Sequence, residues 1–197
     1  MSKLRRRFVA GLVLAAVCTF SSAGQGDPLL QLIEQVAPET VNRPARTPKK
    51  SDPRQDRDLV QQLADKWKRS PDYIQRIVDY ARQHSRPDFP RLPHLLAIMA
   101  VESRFDTRAR SKGNVGLMQI NLAANGSRLR NRSPEENVRV GAEILREGYF
   151  KLNGNHKGAV LSYNTGLGAY KQGRRNTAYW RKYKQELDWL QKHVKEN

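Results

Sequence analysis

Glu102 is the residue of this 197-residue chain best placed to move a proton. Leu92, Leu95, Leu96 and Met99 precede it at helical spacing, and Glu102 lies seven residues beyond Leu95, so its carboxyl continues an apolar stripe. Ionising a carboxyl on a buried face is costly, so desolvation raises its pKa. The negative end of the helix dipole pushes the same way if the helix ends near Phe105. A proton retained near neutral pH is what a general acid requires. Downstream, Gly116-Leu117-Met118-Gln119-Ile120 and Ser162-Tyr163-Asn164-Thr165-Gly166 supply amide and phenol groups able to hold a polar polymer. Taken alone, Glu102 has a plainer alternative, a helix-end glutamate whose head reaches solvent or pairs with Arg104 or Arg108.

Three blocks in order tip the balance. Glu102-Ser103, Gly116 to Gln119 and Tyr163-Asn164-Thr165-Gly166 resemble the motifs of lytic transglycosylases of the soluble-lytic-transglycosylase (SLT) type, relatives of goose-type lysozyme. The resemblance covers residues 92–189. Ser162 stands where the family usually has a small or apolar residue, and Asn121-Leu122 follows Gln119-Ile120 where Met-Pro is common. These departures leave the catalytic pattern intact and bear on subfamily and glycan preference.

The resemblance implies a mainly α fold, a single lysozyme-like helical domain with room for a small β-hairpin. It also implies action on peptidoglycan glycan strands without a cofactor. Glu102 would protonate the bond between N-acetylmuramic acid and N-acetylglucosamine. As a carboxylate it would then take the proton of the muramic 6-hydroxyl, closing a 1,6-anhydro ring without water. On the same analogy Gln119 and Asn164 would hydrogen-bond the substrate, Tyr163 would orient Glu102 or the sugar, and Ser103 would position the local backbone and ligand. Leu117 and Met118 read as packing, and Gly116 and Gly166 as turn residues.

The residues themselves add one argument. Glycoside hydrolases ordinarily use two carboxylates. Candidates for the second are weak: Asp106 belongs to the loop after the helix, and Glu143 and Glu147 lie on a later helix beside its apolar face. A lone acid fits a substrate-assisted route. A hydrolytic muramidase and a non-catalytic peptidoglycan-binding scaffold remain the rivals. No P-loop or Gly-x-Ser-x-Gly elbow is present.

The elements that must hold these residues are helical from Asp58 onward. Leu59, Leu63 and Trp67 share a face. Ser70-Pro71 opens a helix carrying Tyr73, Ile74, Ile77, Val78 and Ala81, and Pro87 and Pro90 break the chain before the Glu102 helix. Ser133-Pro134-Glu135-Glu136 predicts a capping box and a helix to about Leu152, with Val138, Ala142, Leu145, Tyr149 and Leu152 facing inward. Asn155 caps the helix that delivers Tyr163 and Asn164. A last helix from near Thr177 aligns Trp180, Tyr183, Leu187, Leu190 and Val194. A small hairpin is open to the stretch from Asn114 to Ile120.

The N-terminus sets the compartment. Basic residues up to Arg7, an apolar run from Phe8 to Phe20 and Ser21-Ser22-Ala23 form an export signal over residues 1–23, with an uncleaved anchor as the minority alternative. Residues 24–57 read as a short amphipathic helix, with Leu29, Leu32, Ile33 and Val36 on one face, followed by a proline-rich basic linker. The catalytic domain is placed at 58–197. The only cysteine, Cys18, falls within the signal and is a poor lipidation site, so neither disulfides nor a stable membrane anchor is expected. His84, His94, His156 and His193 show no ligand spacing, so no metal site is expected and they read as surface or helix-end residues.

With 36 Lys and Arg against 19 Asp and Glu, the formal charge is +17. In a cytosolic protein that would point to nucleic acid. After an export signal it points to anionic polymers of the periplasm or cell envelope, and no nucleic-acid signature is visible. Wall turnover and service to a secretion, conjugation or pilus apparatus are equally open.

Overall fold

A computed structural model describes residues 53–194. All lie within the compact unit Pro48–Asn197. The expected export signal, Cys18 and the short helix around Leu29 to Val36 fall outside the described residues.

Eight α-helices and a small sheet make up this part of the chain. The helices are α1 (Pro53–Trp67), α2 (Pro71–His84), α3 (Leu92–Glu102), α4 (Leu122–Asn125), α5 (Pro134–Lys151), α6 (His156–Thr165), α7 (Leu167–Lys171) and α8 (Thr177–His193). Between α3 and α4 lie β1 (Arg110–Ser111), β2 (Asn114–Val115) and β3 (Ile120–Asn121), antiparallel in the order β1-β2-β3. Val115 pairs with both Arg110 and Ile120, so the anticipated hairpin gains a third strand.

Prolines at first helical positions open α1, α2 and α5, because a fixed φ near −65° suits the first turn and the missing N–H has no helical partner there. This corrects one boundary. The helix expected from Asp58 begins at Pro53, so residues 53–57, assigned to the linker, are helical. At α5 the capping box is half formed: the Glu136 amide donates to Ser133 Oγ (3.1 Å), while the Glu136 carboxylate turns to the Arg130 amide (2.9 Å).

The second correction concerns α3. The apolar spacing predicted one buried stripe, yet Leu92, Pro93 and every residue from Leu95 to Ala100 are buried. A helix apolar all round belongs at the centre of a domain. It packs against α8 and α2, while α5 packs against α2 and α6. Glu102 is thus the end of the central helix, where the chain leaves the core.

Candidate active site

The site begins where α3 stops. The Ser103 amide and its Oγ both donate to the Met99 carbonyl (3.0 and 3.1 Å), so this buried serine is spent as a helix cap. The next two residues, Arg104 and Phe105, lie in the left-handed region with φ of +53° and +58°. Such backbone is strained for residues with side chains and needs support from its surroundings. Support comes from Phe105, fully buried with its ring 5.7 Å from that of Trp67, and from Tyr73, whose hydroxyl donates to the Phe105 carbonyl (2.9 Å) and accepts from the Thr107 amide (3.0 Å). The end of α3 is thereby pinned.

Glu102 accepts a 2.7 Å hydrogen bond at Oε1 from the hydroxyl of Tyr179, which α8 brings in from 77 residues along the chain. Burial raises the carboxyl pKa and is only partly offset by that hydrogen bond. Neither Arg104 nor Arg108 pairs with it among the ion pairs of the described residues.

Tyr163 sits close enough for the Glu102 charge to add to burial in raising its own pKa. Its hydroxyl donates to the Met118 carbonyl (2.6 Å), so it braces the Gly116–Gln119 turn while Tyr179 holds the carboxyl. That turn is also gripped from beneath. Asn137 on α5 accepts from the Met118 amide and donates to the Val115 carbonyl (both 2.8 Å). The fit explains two glycines: a Cβ on Gly116, which has φ +77°, would lie 2.6 Å from the Asn137 side chain, and one on Gly141 would lie 2.7 Å from Met118. Leu117 and Met118 are fully buried packing residues.

Gln119, itself left-handed at φ +47°, donates through Nε2 to the carbonyls of Gly116 (3.0 Å) and Ala109 (3.1 Å). Asn164 is exposed and accepts at Oδ1 from Asn176 (2.9 Å). The sequence had named Glu102, Ser103, Gln119, Tyr163 and Asn164 but not Tyr179, Asn137 or Asn176. Tyr179 carried a signal, since it extends the Tyr183–Leu187–Leu190 stripe by four residues toward the start of α8. Nothing in its spacing marked Asn137.

The other carboxylates are committed elsewhere. Asp106 accepts from the Arg108 amide (2.9 Å). Glu143 and Glu147 bind Arg128 (3.2 and 2.6 Å), and Arg139 joins Glu143 (2.5 Å) to Glu136 (2.6 Å). Hydrogen bonds from Arg139 and Arg130 hold Glu136 far below the usual carboxylate range.

The histidines do take helix-end positions: His84 and His193 close α2 and α8, and His156 opens α6. His94 stands in the first turn of α3, where its Nδ1 accepts from the Arg91 amide (3.0 Å); it is half-buried beside Phe89 (ring centroids 5.0 Å apart) and 5.9 Å from His156, and burial lowers its pKa to about 4. Among the described residues no cluster of three His, Cys, Asp or Glu could hold a metal ion, and no helix is long and apolar enough to cross a membrane.

A helical domain that keeps one partly buried, unpaired carboxyl against a tyrosine, beside a rigid polar turn, has the layout of an acid–base enzyme. Residues 91–187 match the family model described as Transglycosylase SLT domain, so the chain carries a transglycosylase SLT domain. That domain implies a transglycosylase whose substrate is peptidoglycan. No curated protein and no solved structure gives a significant match.

Proposed function

We propose that the chain is an exported lytic transglycosylase that cleaves the β-1,4 bond between N-acetylmuramic acid and N-acetylglucosamine and leaves 1,6-anhydro-muramic ends. The observation that carries this reading is Glu102: a carboxyl of raised pKa, with Tyr179 as its hydrogen-bond partner and every neighbouring candidate for a second acid occupied.

Tyr179 occupies Oε1, so the acidic proton sits on Oε2 and faces the leaving oxygen. Proton transfer breaks the glycosidic bond, and the departing sugar carries the proton away. The oxocarbenium-like centre is stabilised by the substrate's own N-acetyl group, since the candidate carboxylates Asp106, Glu143 and Glu147 are engaged elsewhere. Glu102, now ionised and steadied by Tyr179, takes the proton of the 6-hydroxyl as that oxygen closes on C1. The acid is restored and no water is consumed. Gln119 has its Nε2 committed to backbone and offers its carbonyl oxygen to the sugar. Asn164 has its oxygen committed to Asn176 and offers its NH₂. Ser103 acts through the backbone it caps. Export rests on the N-terminal signal, and the envelope location follows from it.

The test is mass analysis of digested peptidoglycan with the wild type and Glu102→Gln. The wild type should release muropeptides lighter by one water than hydrolytic products. The variant should fold, bind glycan and lose at least the ~10²–10⁴-fold that an acid–base group contributes. Activity in Glu102→Gln would sink the mechanism. Reducing-end products from the wild type would leave Glu102 as the acid and make the enzyme a muramidase.

A further inference from the structure

A cavity of about 300 Å³ is lined by Asn155, Lys157 and Leu161 of the α6 region, Tyr170 of α7, Arg175 and Thr177. Glu102 is not among its walls, yet the cavity adjoins the proposed glycan site. Arg175 and Thr177 flank Asn176, the residue bonded to Asn164 (2.9 Å), and Tyr179 follows Thr177 by two positions.

Its two cations are unlike the arginines around Glu136. Arg175 lies 3.6 Å over the Tyr170 ring, and its Nη1 donates to the carbonyls of Tyr170 and Arg174, so the guanidinium is held in place while Nε and Nη2 have no partner among the described residues. The Lys157 ammonium stands 5.5 Å from the Trp180 ring centroid. Neither forms an ion pair among the described residues, and no carboxylate lines the cavity. A pre-positioned guanidinium matches the two oxygens of a carboxylate and loses little side-chain freedom on binding. Leu161 and the Tyr170 ring add apolar wall for the short aliphatic segment that carries such an anion.

We propose that this cavity is a subsite for a carboxylate of the peptide stem of peptidoglycan, paired by Arg175 and Lys157. The inference rests on the reading of the Glu102 site as glycan-cleaving, because the stem projects from the muramic residue that the site would engage.

Binding can be measured apart from cleavage. Stem peptides released from peptidoglycan by an amidase would be titrated calorimetrically into the full chain, its Lys157→Gln/Arg175→Gln variant, and Arg76→Gln as a control for simple loss of charge. Lys157, Arg175 and Arg76 are all exposed, and retention of the thermal transition checks the fold. The expected result is a loss of stem-peptide affinity of at least about tenfold in the double variant, as for lost charge-assisted hydrogen bonds, with Arg76→Gln close to wild type. In turnover, the ratio of KM on stem-bearing strands to KM on stem-stripped strands should rise in the double variant. Unchanged affinity, or an equal loss in Arg76→Gln, overturns the proposal. A KM that rises equally on both strands also overturns it, because the cavity would then be holding sugar. A wild type that binds stem peptide through these two residues but cleaves neither strand supports the subsite and refutes the transglycosylase reading.

Discussion

At the scale of single residues, the Glu102–Tyr179 pair ties the proposed activity to stability. The Tyr179 hydroxyl favours the ionised carboxyl, so Tyr179→Phe should raise the Glu102 pKa further. A hydrogen bond to a charged group is worth about 1.5–3 kcal/mol, which corresponds to a shift of about one to two pH units. The alkaline limb of kcat/KM should therefore move up by that amount while kcat falls, because the conjugate base is less well held. A pH–rate profile checks this, and an unmoved limb would remove Tyr179 from the site. Glu102 itself works against the fold. Its folded pKa lies above its unfolded value, so its contribution to stability is complete below the unfolded pKa and is lost as pH rises through the folded one. Glu102→Gln should thus raise Tm at neutral and alkaline pH and approach the wild-type value in acid, as thermal melts across pH would show. The sequence made Glu102 legible through motif and position. It does not reveal Tyr179, because a contact spanning 77 residues depends on how α3 and α8 pack, and the apolar stripe of α8 reads from Trp180.

At the scale of elements, α2, α5 and α6 are readable because their starts carry local chemistry, proline at the first position of α2 and α5 and side-chain caps from Ser133 and Asn155, whereas α1 and α8 are legible only through their apolar stripes, so the start of α1 at Pro53 and the Asn176 cap escape the sequence. The hairpin of β2 and β3 lies where the sequence left room for one, but β1 does not show in the sequence, since a two-residue strand has no alternation to read. The all-round burial of α3 escapes the sequence for a related reason: periodicity reports a boundary between core and water, and a helix surrounded by protein has no such boundary. Asn137 gives the test at this scale. Asn137→Ala leaves the Met118 amide and the Val115 carbonyl without partners, which should cost about 1–3 kcal/mol for each group left buried and loosen the turn that presents Gln119. Denaturant unfolding should show the loss. Activity should fall by more than the change in folded fraction predicts.

At the scale of the whole molecule, the excess of positive charge favours approach to an anionic polymer such as peptidoglycan. Sedimentation with purified sacculi should weaken as salt rises, because the reach of exposed charges shrinks to about 8 Å at physiological ionic strength. Binding indifferent to salt would assign retention to the glycan groove instead. The arginine–glutamate knot on α5 adds a directional consequence. Arg128, Arg130 and Arg139 are matched there by Glu136, Glu143 and Glu147, so that flank is close to neutral and the surplus of 17 must be carried by other parts of the chain. A body charged unevenly feels a torque as well as a pull in the field of an anionic mesh. Such a body should turn as it approaches, with the neutral flank trailing, so that diffusion explores fewer orientations before contact.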